Sequence, residues 1–258
     1  MKKTLKVFAF ILSAVLIFVV FLLSISNALI DAAASGHTGI AKLLIFCGAN
    51  INSKDSEGMT LLSKAAWSGH TEIAKLLIEK GADINVKDPR GGDTPLIDAA
   101  VSGHAEIVKL LTDKGTDVNV KNCWGETALT EAVRSGCVDA VKVLVDSGAD
   151  MNVGINNPER STLLMWAAGS GWTDIAKLLI DKGADINAKG LITGDTPLIN
   201  ATAAGDDDIV KLLIDKGADV NVKNSKGETA LSIAEAKGYH GNIAHRDIVQ
   251  LLKDAGAK

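Results

Sequence analysis

The sequence predicts an all-α fold in which pairs of short helices stack into a solenoid. One segment of about 26 residues recurs seven times along the chain. The copies begin near residues 27, 60, 94, 127, 162, 196 and 229. Their spacing of 33 to 35 residues leaves room for two helices and a turn, and so short a pair buries its apolar stripe only against neighbouring copies. Aromatic residues are only 4% of the 258 residues, so we expect a core of aliphatic side chains and alanine.

The third copy, residues 94–119, shows how each element is specified. Thr94 and Pro95 open the first helix, because the threonine oxygen accepts from an unpaired N–H and proline there gives up no needed donor. Gly103 ends that helix, since glycine adopts the terminating conformation cheaply. The second helix carries a broad apolar stripe of Ile107, Val108, Leu110 and Leu111. Gly115 closes it, and the chain then makes a projecting turn, here called a finger, before the next threonine.

The third copy reads TPLIDAAVSGHAEIVKLLTDKGTDVN, and most other copies repeat its threonine, alanine and glycine positions. This pattern resembles the ankyrin repeat, and the resemblance covers residues 27–258. It implies an L-shaped helix pair with a β-turn finger in each repeat, stacked into a curved solenoid. The last copy departs from the pattern, because six extra residues follow Gly238.

The first 28 residues predict an export signal. Three lysines precede an apolar run over residues 7–23, and Ser26 and Ala28 fit a small-x-small site, so we expect cleavage after Ala28. The alternative is an uncleaved signal anchor, because the run is at the lower limit for spanning a bilayer. The signal is of bacterial type and predicts a periplasmic or secreted protein. The anchor predicts attachment to the inner membrane, facing the periplasm.

The predicted domains are a signal or anchor over residues 1–28 and a repeat domain over residues 29–258. Without its first 28 residues the chain has 24 basic and 31 acidic side chains, a net charge of −7. Such a surface repels phosphate backbones, so we expect no nucleic-acid partner. The three cysteines, Cys47, Cys123 and Cys137, occupy non-equivalent positions and are expected to be unpaired.

No residue pattern indicates catalysis. One repeat position is occupied by three of the five histidines, His37, His70 and His104. A catalytic residue has no reason to recur in this way, so these rings are expected to be structural. His240 and His245, with Asp247, are poorly spaced for a metal site on one helical face. Phosphate-binding glycine loops and hydrolase or zinc-protease motifs do not occur. We therefore expect no enzyme activity, cofactor or metal.

Protein binding is the remaining function, and the resemblance implies where a partner docks. The partner-facing positions are the fingers and the two residues before the glycine that ends the first helix. On the helix the large residues are Trp67 and Arg134. In the fingers they are Met59, Arg90, Trp124 and Arg160, with Glu57, Glu126 and Glu159 beside them. The alternative for Trp67 and Trp124 is packing against a neighbouring repeat, whereas Trp166 and Trp172 are expected in the core.

These observations predict an exported, non-catalytic, monomeric ankyrin-repeat protein. It is expected to bind another protein through the concave surface and fingers of repeats two to five. The alternative is a membrane-tethered scaffold or spacer, in which residues 7–23 stay in the bilayer. A metal-dependent enzyme using the insertion in the last copy is a third hypothesis, which predicts bound metal in the purified protein.

Overall fold

A computed structural model describes residues 24–156, 160–239 and 243–258. Apart from two isolated bridges, their regular secondary structure is α-helical, and the remaining residues form turns and loops. Residues 24–34 form α1. The other helices are α2 Thr38–Phe46, α3 Leu61–Ser68, α4 Thr71–Glu79, α5 Pro95–Val101, α6 Ala105–Asp113, α7 Ala128–Arg134, α8 Val138–Asp146, α9 Leu163–Ser170, α10 Thr173–Asp181, α11 Pro197–Ala204, α12 Asp207–Asp215, α13 Ala230–Tyr239 and α14 Ile243–Asp254.

The chain divides into two compact units. Unit 1 ends at Asp117 and holds α1 to α6, and unit 2 comprises Val118–Lys258 with α7 to α14. Within each unit, helices of one kind pack on each other. In unit 1, α3 packs on α5 and α4 on α6; in unit 2, α9 packs on α11 and α10 on α12. Each unit therefore has one layer of first helices and one layer of second helices, which confirms the predicted stacking of helix pairs.

Threonine caps begin the first helices as predicted. The hydroxyl of Thr60 accepts from the N–H of Ser63 at 3.1 Å, and that of Thr162 accepts from the N–H of Met165 at 3.2 Å. Thr94, Thr127 and Thr196 cap their helices in the same way. Each cap satisfies a backbone donor that the helix itself leaves unpaired.

The core consists of aliphatic side chains and alanine. From α4 to α12, each second helix buries three apolar residues completely. They are Ile73, Ala74 and Leu77; Ile107, Val108 and Leu111; Ala140, Val141 and Leu144; Ile175, Ala176 and Leu179; and Ile209, Val210 and Leu213. No aromatic side chain is in the buried core of the residues described. The core is thus built from aliphatic side chains and alanine, as the low aromatic content predicts.

Fingers connect the helix pairs and are closed at the base by backbone hydrogen bonds. The N–H of Asp55 donates to the carbonyl of Met59 at 3.0 Å, and that of Asn122 to the carbonyl of Glu126 at 2.9 Å. In the part of the chain that the structure describes, extended pairing is limited to two isolated bridges, Lys54 with Thr60 and Gly154 with Thr162. A finger is therefore a tight loop, and its tip residues face solvent.

The predicted signal lies mostly outside the described residues, which begin at residue 24. Helix α1 continues through Ala28, and the Ser26 hydroxyl accepts from the N–H of Asn50 at 3.2 Å. Cleavage after Ala28 would thus remove the part of α1 that makes this contact. Among the described helices, none is long and apolar enough to cross a membrane.

Candidate protein-binding surfaces

The finger tips of unit 1 are shaped by aspartate side chains. The carboxylate of Asp55 accepts from the N–H groups of Glu57 and Met59, both at 2.9 Å, and Asp88 holds the N–H of Arg90 at 2.7 Å. Side-chain acceptors of this kind stabilise tight turns. Glu57 and Arg90 consequently lie at the tips of adjacent fingers, where they form an exposed ion pair with each other. Met59 is half-buried at the base.

An ion pair holds the base of the first of these fingers. Lys64 Nζ lies 2.7 Å from the Asp55 carboxylate. Burial alone would raise the pKa of Asp55, but hydrogen bonds from Lys64 and from the backbone of Met59 and Glu57 more than offset it. The pKa of Asp55 is therefore held below its ordinary value, and the turn keeps its charged acceptor at neutral pH.

Trp67 is an exposed indole on a fixed backbone. Its side chain is 52% exposed at the end of α3, and its carbonyl oxygen accepts from His104 Nε2 at 3.1 Å. The His104 ring also covers Gly69, where a Cβ atom would lie 2.4 Å from the ring. The predicted anchor Trp67 is thus presented to solvent by a repeat-to-repeat contact within unit 1.

Unit 1 also buries a carboxylate that sequence reasoning did not single out. Asp98 on α5 is 4% exposed, and its Oδ2 has no hydrogen-bond partner among the described residues. Burial, together with the negative charges of Asp93 and Asp88, raises the pKa of Asp98 to about 7, although Ser63 donates to it. The side chain is out of reach of a partner, so its effect is on stability.

In unit 2, two of the predicted binding residues are engaged within the chain. Arg134 forms ion pairs with Glu126 and with Glu131, the second at 3.0 Å. Glu126 is 7% exposed. Burial opposes its ionisation, but hydrogen bonds with Glu131, Asn122 and Arg134 hold the pKa of Glu126 below its ordinary value. Replacing Arg134 would remove the positive charge beside two buried carboxylates, so Arg134 and Glu126 hold the finger base.

Trp124 and Arg160 lie beside an open cleft between finger tips of unit 2. Asn122 Oδ1 accepts from the N–H of Trp124 at 3.0 Å, which fixes the tip, and the indole is 55% exposed. The cleft has a volume of about 350 Å³. It is lined by Trp124, Gly125, Gly154, Ile155, Asn156, Arg160 and Leu191. Glu159, predicted beside Arg160, lies outside the described residues.

Leu191 and Ile192 were not predicted from the sequence, and they are the most exposed large apolar residues among those described in unit 2, at 75% and 62%. They lie at the tip of the finger that precedes α11. The sequence carries a signal for them, since Leu191 and Ile192 occupy the positions at which the fingers around residues 56 and 225 have Ser-Glu and Ser-Lys. Exposed neighbouring apolar residues of this kind mark interaction sites.

A groove runs along the first helices of unit 2. It consists of two adjoining cavities of about 460 and 530 Å³, which share Thr193, Asp195, Asn200 and Ala203. Its floor has small residues at one repeat position, Gly169, Ala203 and Ala236. Trp166, expected in the core, is instead half-buried in the groove wall, and its Nε1 has no partner among the described residues.

The ring position at the start of the second helix is used structurally. His70 Nε2 donates to the carbonyl of Ala34 at 3.0 Å, as His104 does to that of Trp67. Trp172 takes this position in unit 2, where its indole covers Gly136 but remains 37% exposed, so the expectation of a core residue was wrong.

The insertion in the last copy does not gather metal ligands in the described residues. His240 lies outside them, and His245 is buried over Gly205, as the other rings are over their glycines. His245 therefore occupies the repeat position of His70 and His104. The sequence indicates this alignment, because His104 and His245 are both followed by the pattern x-x-Ile-Val. No group of three or more histidine, cysteine or acidic side chains within the described ranges is arranged to hold a metal ion.

The three cysteines are free thiols in the structure. Cys47 and Cys123 are exposed, whereas Cys137 is half-buried, and burial raises the pKa of its thiol.

Comparisons with known proteins agree with the architecture. The family model described as ankyrin repeats (3 copies) matches residues 21–88, 82–155, 114–190 and 164–258. Because these matches overlap, the count of seven repeats stays a prediction. The crystal structure of the human ASB11 ankyrin repeat domain is 30% identical and has a TM-score of 0.71; the match covers 80% of this chain and 90% of that one. No curated protein sequence gives a significant match.

Proposed function

Because the chain belongs to the ankyrin-repeat family, we propose that it is a non-catalytic, exported binding protein that captures another protein. The geometry best supports the groove of unit 2 as the main binding surface. The observation that carries this proposal is the run of small residues Gly169, Ala203 and Ala236, which leaves space along helices whose other faces are packed. Unit 1 has a separate candidate contact, the exposed indole of Trp67.

The groove offers polar groups for an extended partner segment. Asp195 accepts from Asn224 Nδ2 at 2.9 Å, and Asn200 Nδ2 donates to the carbonyl of Met165 at 3.3 Å. These side chains are held in place before a partner arrives, which lowers the entropic cost of binding. The groove therefore combines apolar area with oriented polar groups, as protein-binding sites do.

Filling the groove tests this function. Ala203→Trp places an indole on the groove floor, and Lys211→Trp adds the same group at an exposed position of α12 in the same repeat. Affinity capture from the exported fraction, quantified by mass spectrometry, should lose its main partner with Ala203→Trp and keep it with Lys211→Trp. Thermal unfolding of both variants checks that the fold is intact. Equal capture by both folded variants would contradict the proposed surface.

Export is proposed from the N-terminal sequence alone. Lysines, an apolar run and a small-residue site occur in the order of a secretory signal. N-terminal sequencing of the mature protein should give a start at Leu29. A start at Met1 in a membrane fraction would instead support the tethered scaffold, in which the repeat domain is held at the periplasmic face.

A further inference from the structure

We propose that the chain pairs with a second copy of itself through the outer face of α2, the second helix of the first repeat. This face consists of Gly39, Ile40, Leu43 and Phe46 with the adjoining Cys47, which follow the spacing of one side of a helix. The inference goes beyond the proposed partner capture, because the groove lies in unit 2 and α2 in unit 1. The repeat pattern predicts a monomer, and this face is the reason to propose a weak dimer instead.

Large apolar side chains are exposed on the α2 face. Ile40, Leu43 and Phe46 are 51%, 61% and 89% exposed. Elsewhere in unit 1, α4 packs on α2 and α6 on α4, and the isoleucines at the repeat position of Ile40, Ile73 and Ile107, are completely buried. No helix pair precedes α1 and α2 in the part of the chain that the structure describes. The outer side of α2 is thus a stacking face without a neighbour.

The sequence of α2 lacks polar residues that the other second helices carry. At the positions of Gly39 and Phe46, all six later copies have an acidic residue. These residues are Glu72 and Glu79, Glu106 and Asp113, Asp139 and Asp146, Asp174 and Asp181, Asp208 and Asp215, and Asp247 and Asp254. Helix α2 has no acidic residue at all. The apolar face is therefore specific to the first repeat and is not a general property of the fold.

The last helix, α14, shows how the opposite end of the chain is finished. It exposes Arg246, Asp247, Gln250, Lys253 and Asp254. Terminal repeats of a solenoid need a polar outer face to stay soluble, and α14 meets this requirement whereas α2 does not. The charged α14 is a poor cover for α2, because burying its charges is costly, so copies do not stack head to tail. Two α2 faces can cover each other about a two-fold axis, which gives a closed dimer.

The charges of the chain also direct a second copy to α2. Residues 29–258 have a net charge of −7, so two copies repel each other over most of their surface. The one charged residue of α2 is Lys42, which is exposed beside the face, so no acidic groups meet when two of these faces approach. An anionic lipid surface, by contrast, repels the domain as a whole. A second copy is therefore the cover that the charges favour.

The exposed area suits a weak dimer. The three large side chains offer on the order of 400 Å² in each copy, a patch of the size that marks interaction sites. Pairing two faces buries roughly 1,000 Å² once the flanking residues are included, which is near the lower limit for a specific interface. Removal of Leu43 and Phe46 from water drives the association, and we expect a dissociation constant on the order of 10 μM.

Sedimentation velocity of the purified protein, in the form that cells produce, tests the dimer. Between about 1 and 100 μM, the average mass should rise from that of one copy towards that of two and no further. Raising the NaCl concentration from about 50 to about 500 mM should tighten the association about three-fold, because salt screens the repulsion between acidic copies. A single monomeric species at the highest concentration, or assemblies of more than two copies, would overturn the inference.

Two variants test whether Phe46 carries the contact. Phe46→Asp introduces an acid where the later copies have one, so the repeat keeps its fold while association should weaken at least about ten-fold. The matched control combines Phe46→Asp with Asp215→Phe, which keeps the composition and net charge of the parent but moves the phenylalanine to an exposed position on α12. We expect both variants to be monomeric. Association of either one as strong as that of the parent would contradict α2 as the contact.

Crosslinking locates the contact independently. Cys47 directly follows α2 and is exposed, and Cys123 is an exposed thiol of unit 2. A bismaleimide should join two copies of the parent protein and of Cys123→Ser, and should not join two copies of Cys47→Ser. A crosslink that requires Cys123 would place the contact elsewhere and overturn the inference.

Vesicles of phosphatidylglycerol provide the competing outcome. If the parent protein stays monomeric and binds these vesicles, whereas Phe46→Asp does not, α2 contacts lipid and the inference is wrong. The proposed function is judged separately, because loss of partner capture on filling the groove at Ala203 does not depend on α2.

Discussion

Units 1 and 2 connect neighbouring repeats through different side chains at the same backbone position. In unit 1, His70 and His104 each cover the glycine of the preceding repeat and donate to a nearby carbonyl. In unit 2 the same position is held by Cys137, Trp172, Asp206 and His245, and nothing described bonds to either ring nitrogen of His245.

The difference shows that the repeat backbone tolerates changes of its connecting side chains. In the last pair of helices, Lys237 Nζ donates to the carbonyl of Ala203. Ala203 occupies the same repeat position as Trp67, whose carbonyl accepts from His104 in unit 1. Unit 1 thus keeps the histidine contact, whereas unit 2 substitutes packing and other donors. Unit 2 also carries the groove, so departure from the common pattern coincides with the surface that we assign to binding.

The largest effect is expected when a methyl group is added beneath a connecting ring. Gly69 and Gly171 both end first helices with nearly equal φ of 76° and 78°, but an added Cβ meets the His104 ring at 2.4 Å in one case and Asp206 Oδ2 at 3.3 Å in the other. Both alanine variants carry backbone strain, and only Gly69→Ala must also displace the ring. We expect Gly69→Ala to lower the free energy of unfolding by about 3 kcal/mol and Gly171→Ala by about 1 kcal/mol.

Urea unfolding of the two alanine variants measures this difference. Equal losses would show that the histidine and aspartate contacts are equally adaptable, which would remove the contrast between the units.

The next largest effect is a gain in stability, which we expect when Asp98 is replaced. Its pKa is about 7 in the folded chain against an ordinary 3.8, so the folded state favours the protonated form. The contribution of protonated Asp98 to the free energy of unfolding is fully present below about pH 4 and is lost as the pH rises towards 7. Asp98→Asn should therefore stabilise the protein by about 2 kcal/mol at pH 8 and by much less at pH 4. A gain that does not depend on pH would show that ionisation of Asp98 is not the cause.

A smaller loss is expected from the reverse exchange in unit 2. Asn200 occupies on α11 the position of Asp98 on α5, and its Nδ2 donates to the carbonyl of Met165 at 3.3 Å. Asn200→Asp replaces that donor by an acceptor and should lower stability at pH 8 by about 1.5 kcal/mol. Recovery of part of this loss at pH 4 would confirm the electrostatic cause, and unchanged stability at both pH values would contradict it.

The smallest effect should come from removing a single ring donor. His104→Phe keeps the ring over Gly69 but loses the hydrogen bond to the Trp67 carbonyl, so stability should fall by about 1 kcal/mol. Phenylalanine at 104 is a control for shape, since His104→Ala would lose both contacts. If His104→Phe is as stable as the parent protein, packing alone connects the repeats of unit 1, as it does at Trp172 in unit 2.

Much of the fold was predictable because it is specified locally. The threonine caps and the stripe of Ile107, Val108 and Leu111 each depend on a few neighbouring residues, and repetition makes their register unambiguous. The histidine position also follows from its recurrence.

The candidate surfaces were harder to predict, since they depend on contacts between repeats. Arginine is a common interface anchor, so the sequence predicts that Arg134 binds a partner. Only the structure places Arg134 beside Glu126 and Glu131, with which it forms ion pairs. A search for large residues also overlooks a groove, because its floor consists of the smallest ones, Gly169 and Ala203. Leu191 is a plain aliphatic residue whose exposure cannot be inferred from its type.

Site-specific photocrosslinking tests the central claim most directly. A benzoylphenylalanine at position 203 lies on the groove floor, and the same group at position 211 lies exposed on α12 of the same repeat. Irradiation in intact cells should give one dominant crosslinked protein from position 203 and none from position 211. The same products from both positions, or products from position 211 alone, would contradict a protein-binding groove in unit 2.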